Sequence, residues 1–417
     1  MLTIISLLYL LLPFQIALSP SASFDVASVR IIIPLIVITW LIKSLITKKL
    51  WVSSRIQTPL LLSFLFLSTL SLISAQEISW GLRKLLFLLS FFPLYFVLTA
   101  ILDTHEKVRS LMKYVVLGSF ALAITGIVQF LLQFLFPLGV LFRFWTSHLL
   151  PLFLGDAFAQ SVANYPSIFV DIGGHTLMRA VAIFPDPHML SFYLGMTAPL
   201  AIGLALTHSH KKYFFFFIAA ALLVADLLTF SRGGYLGIIG GLLFLFILQF
   251  RTWAPRTKKT TLALLIASAF VIFSSPIGTR LISSFNTKEG SNQGRIEMWR
   301  AATDIIKEYP FFGVGTGNYS LAVKPSASYR DPIYAHNLFL DIAAETGIAN
   351  ALIFLSLILV SLFSLYKNSL TQRFYLWPAL SIIIFTVHSL VETPLYSVHI
   401  LPLFIFLIAL NTIKNTD

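Results

Sequence analysis

The sequence predicts an all-α, polytopic integral membrane protein of about twelve transmembrane helices, carrying an outer helical cap. Three observations predict it. Apolar residues make up 57% of the 417 residues and charged residues only 11%, against about a quarter charged in a soluble domain. Mean hydropathy is +0.87, far too apolar for a solvated, disordered chain. The apolar residues fall in runs near the roughly 20 needed to span a bilayer, separated by polar clusters. Cysteine is absent, which excludes a disulfide framework and a thiolate metal site.

The runs place spans near 4–19, 29–46, 58–75, 82–102, 112–136, 187–206, 213–229, 235–250, 261–275, 336–366, 374–391 and 397–413. The first has no Lys or Arg before its apolar stretch and no small-x-small cleavage site after it, so it reads as a span rather than a signal peptide. No fixed-period repeat or low-complexity tract interrupts the chain. Residues 1–417 therefore read as a single membrane domain, with outer loop regions at 137–186 and 276–335.

Basic residues orient the spans, because they favour cytoplasmic loops. Alternate loops hold Lys43, Lys48, Lys49 and Arg55; Lys107, Arg109 and Lys113; Lys211 and Lys212; Arg251, Arg256, Lys258 and Lys259; Lys367 and Arg373; and Lys414. This set makes up sixteen of the 29 basic residues, and both termini fall on its side, the cytoplasmic one. The inner set is mostly Lys, with 11 Lys to 5 Arg, whereas the outer set has 9 Arg to 4 Lys. Arg presents a planar fork matched to phosphate or carboxylate, so this bias reads either as scatter on small counts or as an anion-handling outer face. The net charge of +12 is divided between two membrane faces, and no nucleic-acid partner is implied.

Ionisable groups in or beside a span are costly and mark function. At the start of the tenth span, Asn337, Asp341 and Glu345 recur every four residues and share a helix face. That stripe lines either a polar cavity or a transporter's proton path. His336 stands at the helix entrance as a cap, a structural hydrogen bonder or a general base. Ser231-Arg232-Gly233-Gly234 fills a short outer turn, either as an interfacial turn with a snorkelling Arg or as an anion site. In the second outer loop, Ile296, Trp299, Ala302 and Ile306 have helical spacing, which predicts an amphipathic helix on the membrane surface, ended by Pro310. Arg295 at its start reads as a headgroup anchor or as an anion ligand at a helix N-terminus. The run Gly313-Val-Gly315-Thr-Gly317-Asn318 follows no strand and lacks a closing Lys-Ser/Thr, so it is a bent loop rather than a phosphate loop. Arg179 and Phe184-Pro-Asp186-Pro187-His188 form a last outer polar cluster. No cluster has metal-ligand spacing.

Taken in order, Ser231-Arg232-Gly233, Gly294-Arg295 with Trp299, Gly313-x-Gly315-x-Gly317-Asn318, and His336-Asn337-x-Phe339-Leu340 with Glu345 and Gly347 resemble the O-antigen ligase and O-antigen polymerase family. The set spans about 120 residues, and 187–366 reads as the ligase-like core. The chain departs from the family pattern at His188, where Asn is usual after Pro, and at Asn350, where a small residue is usual.

The resemblance implies a glycosyltransferase of surface-polysaccharide biosynthesis, lying in the bacterial inner membrane with its active face outside. Its partners would be the bilayer, an undecaprenyl diphosphate-linked glycan donor and a glycan or lipid acceptor. By the same resemblance His336 is the base, Arg232 and Arg295 bind the diphosphate and Arg179 adds a third contact. Ser231, Asn337, Asp341 and Glu345 support them. Transfer would be inverting, with no metal and no cofactor. The alternative reading is a transporter or flippase for a lipid-linked or anionic solute, with Asp341 and Glu345 as coupling carboxylates. Paired inverted repeats are not evident in the sequence.

Overall fold

A computed structural model describes residues 1–21, 24–164, 166–207, 210–250, 278, 290–329 and 332–410. The expected ninth span, the first part of the 276–335 loop, Arg251, Arg256, Lys258, Lys259 and Lys414 lie outside the described residues.

The first half of the chain forms helices α1 (Leu2–Leu11), α2 (Val29–Ile46), α3 (Gln57–Leu70), α4 (Ile78–Phe91), α5 (Leu94–Ile101) and α6 (His105–Leu132). Among the described residues, six helical stretches are long and apolar enough to cross a membrane: 29–46, 57–74, 78–101, 105–132, 187–207 and 348–371. Shorter apolar helices cover 2–14, 138–154, 232–248, 373–388 and 400–409. The expected first span is cut short. Its helix ends by Phe14, and Ala17–Ser21 (β1) turns back antiparallel to Phe24–Ala27 (β2).

The expected outer loop at 137–186 is not loop alone. It holds α7 (Leu138–Phe144), one π turn, α8 (Leu150–Leu154), α9 (Asp156–Ala163) and a hairpin of β3 (Phe169–Ile172) and β4 (His175–Met178). Two glutamines, Gln129 on α6 and Gln133 at its C-terminal cap, hold the strap that follows. Gln133 bonds both ways to the Met178 backbone, and the Gln129 carbonyl accepts the Val181 and Ala182 N–H groups. Each amide satisfies backbone groups that no ladder pairs.

The core is built from α10 (Pro187–Thr207), α11 (Lys212–Leu227), α12 (Arg232–Phe250), α13 (Gly290–Glu308), α14 (Tyr319–Val323), α15 (Leu338–Thr346), α16 (Ile348–Thr371), α17 (Leu376–His388) and α18 (Ile400–Ala409). Helix α10 packs on α6, α11 and α17, and α12 packs on α17. The Gly233–Gly234 pair permits this. A Cβ on Gly234 would stand 1.8 Å from Ser191 Oγ on α10, and one on Gly233 2.5 Å from the His388 ring on α17.

The expected tenth span, 336–366, is two helices. Gly347 takes φ +89° between α15 and α16, a backbone that favours glycine. Helix α13 begins by Gly290, so Arg295 sits in its second turn rather than at its N-terminus. The helix-dipole argument for an anion there falls, and the side chain alone remains. Helix α13 packs on α15, with Ala302 buried and Ile306 packed on the main core. The glycine-rich loop beyond it is an anchor. Thr316 bonds to Ser68 and Ser71 of α3 and its extension, and Asn318 pairs with the Glu77 backbone before α4.

The starts of α6, α11 and α17 lie at the opposite end of the bundle from the starts of α10, α12 and α18. His105 at the start of α6 bonds Tyr375 at 2.8 Å. Lys107, Arg109, Lys113, Lys211, Lys212, Lys367 and Arg373 therefore gather at that far end.

Candidate active site

Five segments meet where α10, α12 and α15 begin and α17 ends. At their centre is Glu392, in the short turn between α17 and α18, with a side chain 8% exposed. Its Oε2 lies 3.0 Å from His336 Nδ1, and its Oε1 accepts from an Arg295 terminal nitrogen at 2.5 Å. His188 Nδ1, on the first turn of α10, stands 3.9 Å from Oε1 and 3.0 Å from Ser231 Oγ. Arg232, the first residue of α12, follows Ser231 directly. The next residue, Gly233, faces His388 and Val391 in the segment that leads to Glu392.

Local sequence explains each placement. Asn337 caps α15, its side-chain oxygen accepting the Phe339 and Leu340 N–H groups. Its amide donates to the Leu390 carbonyl at 3.0 Å. Asp186 plays the same part for α10, accepting from the backbones of His188 and Met189. Burial lifts the Asp186 carboxyl to about 6 despite these donors. His336 precedes the Asn337 cap with φ +49°, a strained backbone for a residue with a Cβ.

Electrostatics follow from the same contacts. Burial alone would raise the Glu392 carboxyl, but the facing His188, His336 and Arg295 outweigh it and hold it well below the usual carboxylate range. Burial likewise opposes charge on His336, and Glu392 overrides it, lifting the imidazole above its ordinary value. An ionised carboxylate only accepts, so the His336 Nδ1 carries the proton. The Nε2 lone pair is then available to a substrate, with the side chain 39% exposed.

The other expected site residues are placed as follows. Arg179 is 2% exposed and donates to the carbonyls of Thr229 and Ser167 at 2.6 and 2.8 Å. It braces the turn ahead of Ser231 from behind. Asp341 and Glu345 do share a face of α15, but both are buried. Lys84 of α4 donates to both Glu345 oxygens at 2.7 Å and lies 3.8 Å from the centre of the Tyr396 ring. That carboxylate is paired inside the protein. Lys84→Ala is expected to lower stability by about 3–5 kcal/mol, since it strands a buried charge. Lys84→Met with Glu345→Leu should cost less, and thermal unfolding of both variants in detergent checks the difference.

Glu392 was missed by sequence reasoning, and His188 was recognised only as part of a weak cluster. The available signal for Glu392 was a carboxylate in a short turn between two apolar spans, which is the rule that singled out Asp341 and Glu345. Among the described residues no group of three or more His, Asp or Glu side chains is arranged to hold a metal ion.

Residues 215–355 match a family model described as O-antigen ligase. The matched stretch contains Ser231, Arg232, Arg295 and His336 and stops short of Glu392. A ComP-specific O-oligosaccharyltransferase of Acinetobacter baylyi is 27% identical over 240 residues, a match that covers 54% of this chain and 42% of the relative. The chain thus spans less than half the length of the relative it matches. Residues 215–355 are thus similar to the O-antigen ligase family, within a helical, apolar architecture.

Proposed function

We propose that the protein transfers a glycan from an undecaprenyl diphosphate donor to an acceptor hydroxyl, with inversion at the anomeric carbon. The observation that carries this is the arrangement of His336, Glu392 and Arg295: a base held in one tautomer by a carboxylate, beside an arginine. His336 Nε2 takes the proton as the acceptor oxygen bonds to the anomeric carbon. The bond from that carbon to the diphosphate oxygen breaks, and the diphosphate leaves with the electron pair. Glu392 stabilises the resulting imidazolium, as the carboxylate does in other base–carboxylate pairs.

Arg295 and Arg232 offset the charge that grows on the leaving group. Arg295 Nε is buried without a hydrogen-bond partner among the described residues, so the guanidinium would have to turn for Nε to reach a phosphate oxygen. With the basic end of the bundle in the cytoplasm, the site opens on the outer face, where such a donor would be presented. Arg179 reaches the donor only through the turn it braces. Ser231 holds His188, and Asn337 sets the start of α15. The Lys84–Glu345 pair favours transfer over solute transport, because it holds Glu345 in a buried ion pair rather than facing a solvent-filled path.

The test is transfer in nanodiscs, with a lipid diphosphate-linked oligosaccharide, excess EDTA and candidate acceptors, read by mass spectrometry. His336→Ala, Arg295→Ala and Arg232→Ala should each lower turnover by about 10²-fold or more while the protein still inserts and runs as one species. Full activity in all three variants overturns the assignment.

A further inference from the structure

We propose that Asp341 is a positioning residue that sets the His336–Glu392 pair by gripping the neighbour of each. Its Oδ1 accepts the Ala335 N–H at 2.7 Å, one residue before His336. Its Oδ2 accepts the Thr393 hydroxyl, one residue after Glu392. A single buried carboxylate therefore spans the two strands of chain that carry the base and its counter-charge. The consequence for turnover rests on the reading of His336 as the base.

The helix supplies the reach. Side chains on an α-helix lean toward its N-terminus. Asp341, one turn into α15, thus points back past the Asn337 cap to Ala335. Two further bonds stitch the same segments: the Leu338 N–H donates to the Ser389 carbonyl at 2.9 Å, and the Asn337 amide to Leu390. These hold the start of α15 against the 389–393 turn. Neither reaches Ala335 or Thr393, the residues just before the base and just after its counter-charge. Asp341 does so on both sides.

His336 gives the grip its purpose. A non-glycine residue at φ +49° keeps that backbone only where its surroundings over-determine it. The Asp341–Ala335 bond fixes the peptide entering His336, and Asn337 fixes the one leaving it. Without Asp341 the Ala335 N–H loses its acceptor and Thr393 its partner, so the segment relaxes to extended backbone and His336 draws away from Glu392. The charged groups facing His336 are Glu392, Arg295 and Asp341 itself.

The experiment follows the titration of His336 by NMR in histidine-labelled protein in nanodiscs, with the signal assigned by its loss in His336→Gln. Turnover is measured beside it. In the wild type His336 should titrate above the free imidazole value. Asp341→Ala should return it toward that value and lower turnover by about 10²-fold, the scale of a misplacement near 1 Å, with KM for the donor changed less than twofold. Asp341→Asn keeps an acceptor for Ala335 and should restore much of both. Thr393→Val should fall between and serves if Asp341→Ala does not fold. A folded Asp341→Ala or Thr393→Val protein with the wild-type titration overturns the proposal. Full turnover in His336→Gln would instead overturn the base assignment, while the titration still judges the grip.

Discussion

Glu392→Gln is expected to lower glycan transfer by about 10²–10⁴-fold, the usual weight of a positioned acid–base group. The amide has nearly the same shape, so the loss reports charge and tautomer rather than packing. The carboxylate accepts from His336 Nδ1 at 3.0 Å and thereby leaves Nε2 free. An amide can instead donate to Nδ1 and move the proton to Nε2, where the base is lost.

The pH dependence has a definite sign. Burial pulls the His336 imidazole down, but Glu392 overrides it and sets it above its ordinary value of 6.5. The wild-type rate should therefore climb as pH rises through that raised value, and Glu392→Gln should move the climb to lower pH. Initial rates from about pH 5 to pH 9 decide it, and an unmoved profile removes Glu392 from the mechanism. Stability follows the same pair. The His336 contribution is present below 6.5 and lost as pH rises through the folded value. The Glu392 contribution is present above its ordinary 4.5 and lost as pH falls through its depressed value. The wild type's margin over Glu392→Gln should be widest between the ordinary values of 4.5 and 6.5 and shrink as pH leaves that window in either direction.

Gly347→Ala should deplete folded protein more than any substitution in the exposed helices. The residue sits at φ +89°, and an added Cβ would lie 1.9 Å from the Phe311 carbonyl oxygen. The backbone alone costs about 1–3 kcal/mol. The clash adds to it, because the obstacle is a main-chain atom that cannot swing aside. Ile348 donates to the Pro310 carbonyl at 2.9 Å, so displacing Phe311 also disturbs the joint between α13 and α16. Size-exclusion yield and thermal midpoint in detergent measure the effect. Gly139, in α7 with nothing within 4 Å of its Cβ position, is the control, and Gly139→Ala should be neutral or slightly stabilising.

The spans were legible because burial in lipid demands long apolar runs, and α2, α6 and α10 lie close to where those runs fall. Where the chain breaks was less legible. Gly347 stands out in the sequence as part of a motif but not as a break, and only the approach of Phe311 shows why the helix must stop there. Helix period correctly put Asp341 and Glu345 on one face. It could not say what faces them, since Lys84 comes from a helix 261 residues away in sequence. Local motif reading singled out His336 and Arg295 because each sits in a recognisable string, and the structure brings both against Glu392. Glu392 has no such string, and its importance comes from tertiary contacts alone.

The 389–393 turn has a consequence for biosynthesis. It leaves the ribosome after every other segment of the site, and until it docks, His336 has no counter-charge and the start of α15 has no wall to stitch against. The stretch that matches the family ends at residue 355, short of Glu392, which pairs with His336 and Arg295. The cluster is completed only when the turn between α17 and α18 has docked, and a chain truncated before Glu392 is expected to lose glycan transfer even where its earlier helices fold.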